Sequence, residues 1–263
     1  MFKPRSLQFL ICFSWSLVSC LAYPKPPSPK FEVRLISGPT ASGGSDDFEL
    51  SESRRALLRL KDNLGVQGLL NLLGPDIEFA NAKWKTILEN STGGHILAEA
   101  RLEATLLDAK SFLAWFDADT GDKHKMTGAN PEHFIEQPLV VNGILTGFDI
   151  VENWGDLVVH YTIPSYGNNP KKPWMKKLPD WPYQAVGDAV LLDGKVIGNI
   201  HNSFRDKVDG TGIEADLCVW LPDSTPEGVV EGLRQHQAVE FTNWLKFAHR
   251  DITSGTFRVP GSL

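Results

Sequence analysis

Thr225-Pro-Glu-Gly-Val-Val-Glu-Gly-Leu-Arg-Gln-His236-Gln-Ala-Val-Glu240-Phe-Thr-Asn-Trp244-Leu-Lys-Phe247 is the stretch that decides the fold. Val229, Leu233, His236, Glu240, Trp244 and Phe247 recur at helical spacing, so the run reads as a long helix with one apolar face. A helix buries such a face. His236 and Glu240 lie inside it, and a buried carboxylate is costly unless something pairs with it. Their side chains project from one face a turn apart, so the pair is either a buried ion pair or half of a metal site.

The segments before this helix read mostly as strands. His95–Ala104 alternates, with Ile96, Ala98, Ala100, Leu102 and Ala104 on one side. Gly147–Glu152, Leu157–Ile163, Ala185–Leu192, Lys195–Phe204 and Ile213–Leu221 follow, and Asp193-Gly194 marks a hairpin. Asn168–Pro182 is a Pro/Lys/Trp loop without a period. A helix is expected from Ser51 to Gly65, a short one at Leu69–Leu73 ending at Gly74-Pro75, and another at Asp108–Phe116. From there to Pro138 the chain reads as irregular. The sum is an α+β fold: a curved antiparallel sheet closed over a long C-terminal helix, with an internal cavity suited to a small ligand.

The first residues read as a secretory signal. Lys3 and Arg5 precede the apolar run Leu7–Ala22, which ends in small residues. Cleavage is placed after Ala22, with an uncleaved anchor as the alternative. Residues 23–50, rich in Pro, Ser and Gly, read as a flexible arm, 51–255 as one domain and 256–263 as a tail. This organisation predicts a protein of the secretory pathway, with no membrane span once the signal is removed. Of 3 Cys, Cys12 and Cys20 leave with the signal, so Cys218 has no intramolecular partner. The chain carries 26 Lys and Arg against 32 Asp and Glu, without a basic stripe, which argues against a nucleic-acid partner. Asn90-Ser91-Thr92 makes Asn90 a candidate N-glycosylation site.

His236 and Glu240 need partners if they hold a metal. Glu152 aligns with Phe148 and Ile150 on one strand face, and His133 lies in Asn130-Pro-Glu-His133-Phe, with His124 as its competitor. Two His and two carboxylates suit Zn²⁺, and Mn²⁺ or Fe²⁺ also fit such donors.

These segments resemble, in their order, the diacetylphloroglucinol/phloretin hydrolase family. Leu233–Phe247 is similar to the family's C-terminal zinc helix. Phe112-Leu-Ala-Trp-Phe-Asp, Lys123-His-Lys and Asn130-Pro-Glu-His133 are similar to its aromatic-Asp-Trp, Tyr-Lys and Pro-x-x-His elements. Thr146–Gly155, Val196–Arg205 and Leu217–Pro222 resemble its strands, and the resemblance spans residues 95–250. It implies a helix-grip, START-like fold with zinc held by His133, Glu152, His236 and Glu240. It also implies hydrolysis of an aryl–acyl carbon–carbon bond in acylated polyphenols, with zinc polarising the ketone and activating water. His201 takes a substrate-side place, although its spacing to Arg205 is one residue longer than in the family. His124 or Lys125 stands where the family has a functional Tyr, and no Tyr lies on the strand leading to Trp220. His201 and His124 are therefore the candidate catalytic residues.

The retained ligands and altered substrate-orienting groups leave three functions open. The first is a secreted zinc hydrolase acting on an aromatic, polyketide-derived substrate. The second is a cyclase or hetero-Diels–Alderase-type enzyme that uses the same cavity to hold reacting atoms together. The third is a non-catalytic carrier of hydrophobic ligands. His95, His160 and His249 read as ordinary surface or sheet residues, and Cys218 as an inert strand thiol.

Overall fold

A computed structural model describes residues 44–119, 122–164, 166–167 and 180–261. The signal, most of the arm and most of the Asn168–Pro182 loop lie outside the described residues. One compact unit spans Asp46–Leu263. Its elements are α1 (Ser45–Asn90), β1 (His95–Thr105), α2 (Ala109–Asp119), α3 (Lys123–Ala129), β2 (His133–Val141) and β3 (Ile144–Trp154), followed by β4 (Leu157–Ile163), β5 (Tyr166–Gly167), β6 (Tyr183–Leu191), β7 (Val196–Asp206), β8 (Gly212–Pro222) and α4 (Glu227–Thr253).

Among the described residues the strands form one antiparallel sheet in the order β1-β8-β7-β6-β4-β3-β2, with β5 beside β6. The sheet bends around α4, the helix-grip arrangement. Strand alternation decides what it encloses. Phe148, Ile150 and Trp154 of β3, Val159 and Tyr161 of β4, and Leu217, Val219 and Leu221 of β8 are all buried on the concave side. Val229, Val230 and Leu233 of α4 join that core at one end. Phe241, Trp244 and Leu245 join Phe112, Trp115 and Phe204 at the other. A Cβ on Gly232 would collide with the Gly155 backbone, so α4 lies directly on the β3–β4 turn. That close approach sets the depth of His236, one turn further along.

Three expectations need correction. Helix α1 starts at Ser45 rather than Ser51, so the end of the supposed arm is helical. Gly65, at φ 61°, breaks the helical geometry as expected, but the second helical segment does not end at Gly74-Pro75 and runs through Pro75 to Asn90. Packing outweighs Pro75, because Leu69, Ile77, Ala80, Trp84 and Ile87 share a buried face. Trp84 meets Trp154 edge-on, with ring centroids 5.6 Å apart.

The supposedly irregular stretch after α2 contains both α3 and β2. Asp122 caps α3, accepting hydrogen bonds from the backbone N–H groups of His124 and Lys125. In β2 a bulge hides the alternation. His133 opposes Glu152 and Ile135 opposes Val151, so Phe134 is the extra residue. Glu136 then opposes Ile150, and both His133 and Glu136 face the concave side.

Candidate metal centre

Four side chains from three elements converge at the α4 side of the cavity: His133 from β2, Glu152 from β3, and His236 and Glu240 from α4. His133 Nε2 lies 2.9 Å from His236 Nε2, 3.1 Å from Glu240 Oε2 and 3.4 Å from Glu152 Oε2. His236 Nε2 lies 3.4 Å from Glu152 Oε2 and 3.7 Å from Glu240 Oε2. A tetrahedral zinc with bonds of ~2.0–2.1 Å spaces its donors ~3.3 Å apart. The observed separations bracket that value.

The surroundings aim these donors. His133 Nδ1 donates to the Met126 carbonyl at 2.9 Å, and His236 Nδ1 faces Glu132 Oε2 at 3.4 Å. Both Nε2 atoms then carry lone pairs toward one point, where only a proton or a cation relieves their repulsion. Glu152 Oε1 accepts hydrogen bonds from Trp154 Nε1 and the Tyr161 hydroxyl, each at 2.7 Å, which leaves Oε2 for the cluster. Such partners orient metal ligands and tune their basicity. The donors therefore fit a divalent cation.

The cation-free electrostatics agree. Burial alone would raise the Glu152 pKa, but His236, His133 and the Tyr161 hydrogen bond outweigh it and hold the carboxyl at about 2. Burial works against a charge on His236, yet Glu152 and Glu132 keep its pKa well above the usual value. His133 is raised in the same way, against burial, by Glu240, Glu136 and Glu152. The cluster thus holds positive charge through protons when it holds no metal.

Two groups escaped the sequence reading. Glu136 lines the same cavity, and burial pushes its carboxyl up to about 7. Its signal was masked by the bulge at Phe134. Lys61 of α1 is buried and donates to the carbonyls of Pro131 at 2.7 Å and His133 at 2.5 Å, tying the start of β2 to α1. Burial, with help from Arg54, lowers its pKa to about 8.

The two catalytic candidates lie elsewhere. His124 is exposed on α3, with Nδ1 3.8 Å from Asp62. Lys125, the other occupant of the family's Tyr position, pairs with Asp251 at 2.8 Å. His201 is buried, but its neighbours Ile200 and Asn202 line the cavity while its Nε2 meets Gln184 Oε1 at 3.1 Å. Alternation along β7 turns it to the other face of the sheet. Tyr161, from β4, is the cavity's tyrosine, and its hydroxyl is engaged by Glu152.

Asn90 ends α1 and is exposed, while Ser91 and Thr92 hydrogen-bond Asp223. Cys218 lies near Glu99 and Asp216 on β1 and β8, where Arg101 pairs with both acids. Burial raises the thiol pKa far above its usual range, in keeping with an inert thiol. Among the described residues no helix is long and apolar enough to cross a membrane.

Fold and site together define a helix-grip α+β protein with a four-donor cluster in its cavity. No protein-family model matches the chain, and no curated protein matches it. Among solved structures it is similar to Ara h 8.0201, at 12% identity and a TM-score of 0.39, over 59% of this chain and 98% of that one. It is also similar to the di-domain ARO/CYC StfQ from the steffimycin biosynthetic pathway, at 13% identity and a TM-score of 0.36. That alignment covers 61% of this chain and 52% of StfQ, so the chain spans about half of StfQ's length. Neither of these structures bears the name of the hydrolase family that the sequence motifs resemble.

Proposed function

We propose that this chain is a metal-dependent enzyme that transforms a small polyketide-type molecule inside its cavity. The observation that carries the proposal is the placement of four metal-spaced donors in an apolar cavity wall. His133, Glu152, His236 and Glu240 would hold the ion, with zinc favoured by the mixed donors and their spacing. When bound, zinc supplies a Lewis acid for a carbonyl oxygen and lowers the pKa of a coordinated water. The chain does the rest. Tyr161 and Trp154 fix Glu152, while Met126 and Glu132 fix the imidazoles. Phe148, Ile150, Leu233 and Phe241 form walls that limit water and orient the guest.

Two reactions use such a site. Cyclisation of a polyketide-type intermediate needs one reactant and a dry, shaped wall, and the apolar enclosure favours it. Hydrolytic cleavage of an acylated polyphenol is the second reading, supported by the order of the sequence motifs. The pattern of Leu7–Ala22 supports action in the secretory pathway.

Zinc-loaded protein incubated with acylated phloroglucinols and with linear poly-ketone intermediates separates these readings by mass spectrometry. A single product of equal mass, or lighter by one water where aldol closure is followed by dehydration, supports cyclisation, and two fragments support hydrolysis. Substrate recovered unchanged from every incubation would sink the enzymatic proposal in favour of a carrier.

A further inference from the structure

Among the described residues, few buried side-chain polar atoms lack a hydrogen-bond partner, and three of them belong to residues that line this one cavity: Glu136 Oε2, Gln237 Oε1 and Trp244 Nε1. All three residues are less than a tenth exposed. Gln237 Nε2 donates to the carbonyls of Ala98 and Leu233, each at 3.3 Å, so its amide is oriented with the oxygen left free. Glu136 Oε2 lies 3.4 Å from His133 Nδ1, but that N–H is directed to the Met126 carbonyl. The three also bracket the metal cluster. Gln237 and Trp244 stand one turn before and one turn after Glu240 on α4, and the Phe134 bulge brings Glu136 onto the face of His133.

We infer that Glu136, Gln237 and Trp244 form a recognition subsite for a compact apolar ligand that donates two hydrogen bonds and accepts one. Buried polar atoms in folded proteins are almost always paired, so unpartnered atoms on three residues that line one cavity point to a ligand. The two free oxygens call for hydroxyl or neutral N–H groups, and the indole N–H for an oxygen. The cavity volume of about 80 Å³ restricts the recognised part to a single small ring or chain segment. This inference rests on the proposed function in treating the cavity as the substrate site, but it does not require the metal.

The test is a ladder of single-ring probes on the full chain: toluene, phenol and resorcinol, with anisole as an acceptor-only probe. Binding is measured by calorimetry, with metal content determined on the same samples. Each hydroxyl matched to a free oxygen should tighten binding by about two- to tenfold. Glu136→Leu and Gln237→Leu should each erase one step of the ladder while toluene still binds. Trp244→Phe should weaken anisole while leaving toluene in place. Glu136→Gln, which keeps an acceptor oxygen, should restore much of the step lost in Glu136→Leu. A flat ladder in wild-type protein, or variants that weaken all probes alike, would overturn the subsite. An intact ladder in protein that takes up no stoichiometric zinc when zinc is supplied would instead leave the subsite standing and overturn the metal proposal.

Discussion

Replacing His236 by Ala removes one of four donors and the positive partner of Glu152. Its consequence can be worked out from metal-linked stability. A ligand that binds only the folded chain adds about 2.7 kcal/mol when present at 100 times its dissociation constant. For a domain of this size, each kcal/mol moves the melting temperature by about 2–4 °C, so zinc should raise that of the wild type by roughly 5–10 °C. Losing a ligand costs at least the ~100-fold in affinity that altered orienting partners can cost. At the same zinc concentration the variant then gains about 0.4 kcal/mol, a shift of roughly 1–2 °C. Thermal melts with and without zinc, and after chelation, measure both quantities. The wild-type shift should shrink as pH falls, because protons on His236 and His133 compete with the ion and both pKa values are raised in the cation-free chain. A zinc-dependent shift that survives intact in His236→Ala would refute the assignment of that residue, and so would a wild type that zinc does not stabilise.

Three further outcomes follow from the same geometry. Tyr161→Phe removes one of two hydrogen bonds to Glu152 Oε1, and a chelator-competition titration should show zinc affinity about tenfold weaker; unchanged affinity would show that Trp154 alone orients the carboxylate. Lys61→Met cuts both hydrogen bonds to the start of β2, so a Co²⁺-substituted variant should show an altered visible spectrum, with Lys61→Arg closer to wild type; an unaltered Lys61→Met spectrum would mean that β2 holds His133 without α1. Glu136 has a folded pKa of about 7 against an ordinary 4.5, so its stabilising contribution is present below about pH 4.5 and lost as pH rises through 7, a penalty of about 3 kcal/mol when fully ionised. Glu136→Gln should therefore stabilise the metal-stripped protein against urea more at pH 8 than at pH 5, and an equal gain at both would remove ionisation as the cause.

The parts of the fold that were legible in the sequence share one property: local pattern and tertiary environment agree. β4 has an apolar residue at every second position after the Gly155 turn, and its limits match Leu157–Ile163. α4 announces itself through a single apolar face. The second half of α1 departs from the sequence reading because Pro75 is a strong local breaker, while the contacts that carry the helix past it come from distant strands. β2 was missed because its bulge shifts the side-chain phase by one residue, which no period-2 pattern survives.

The site divides along the same line. Glu152, His236 and Glu240 stand out as ionisable groups on apolar faces, and the resemblance preferred His133 over His124 as their partner. The structure brings those four together. Glu136 carries no such mark, since only the bulge turns it inward. His124 and His201 were carried by the resemblance alone, and surface exposure and strand alternation place both away from the cluster.

The central claim is that four side chains form one metal centre. Elemental analysis of purified full-length protein, followed by X-ray absorption at the metal edge, tests it most directly. The account predicts one ion per chain, bound by two nitrogen and two oxygen protein donors at ~2.0–2.2 Å. Protein that is active on its substrate after exhaustive chelation, with no stoichiometric metal, would contradict it and leave His133, Glu152, His236 and Glu240 as a buried ion-pair network.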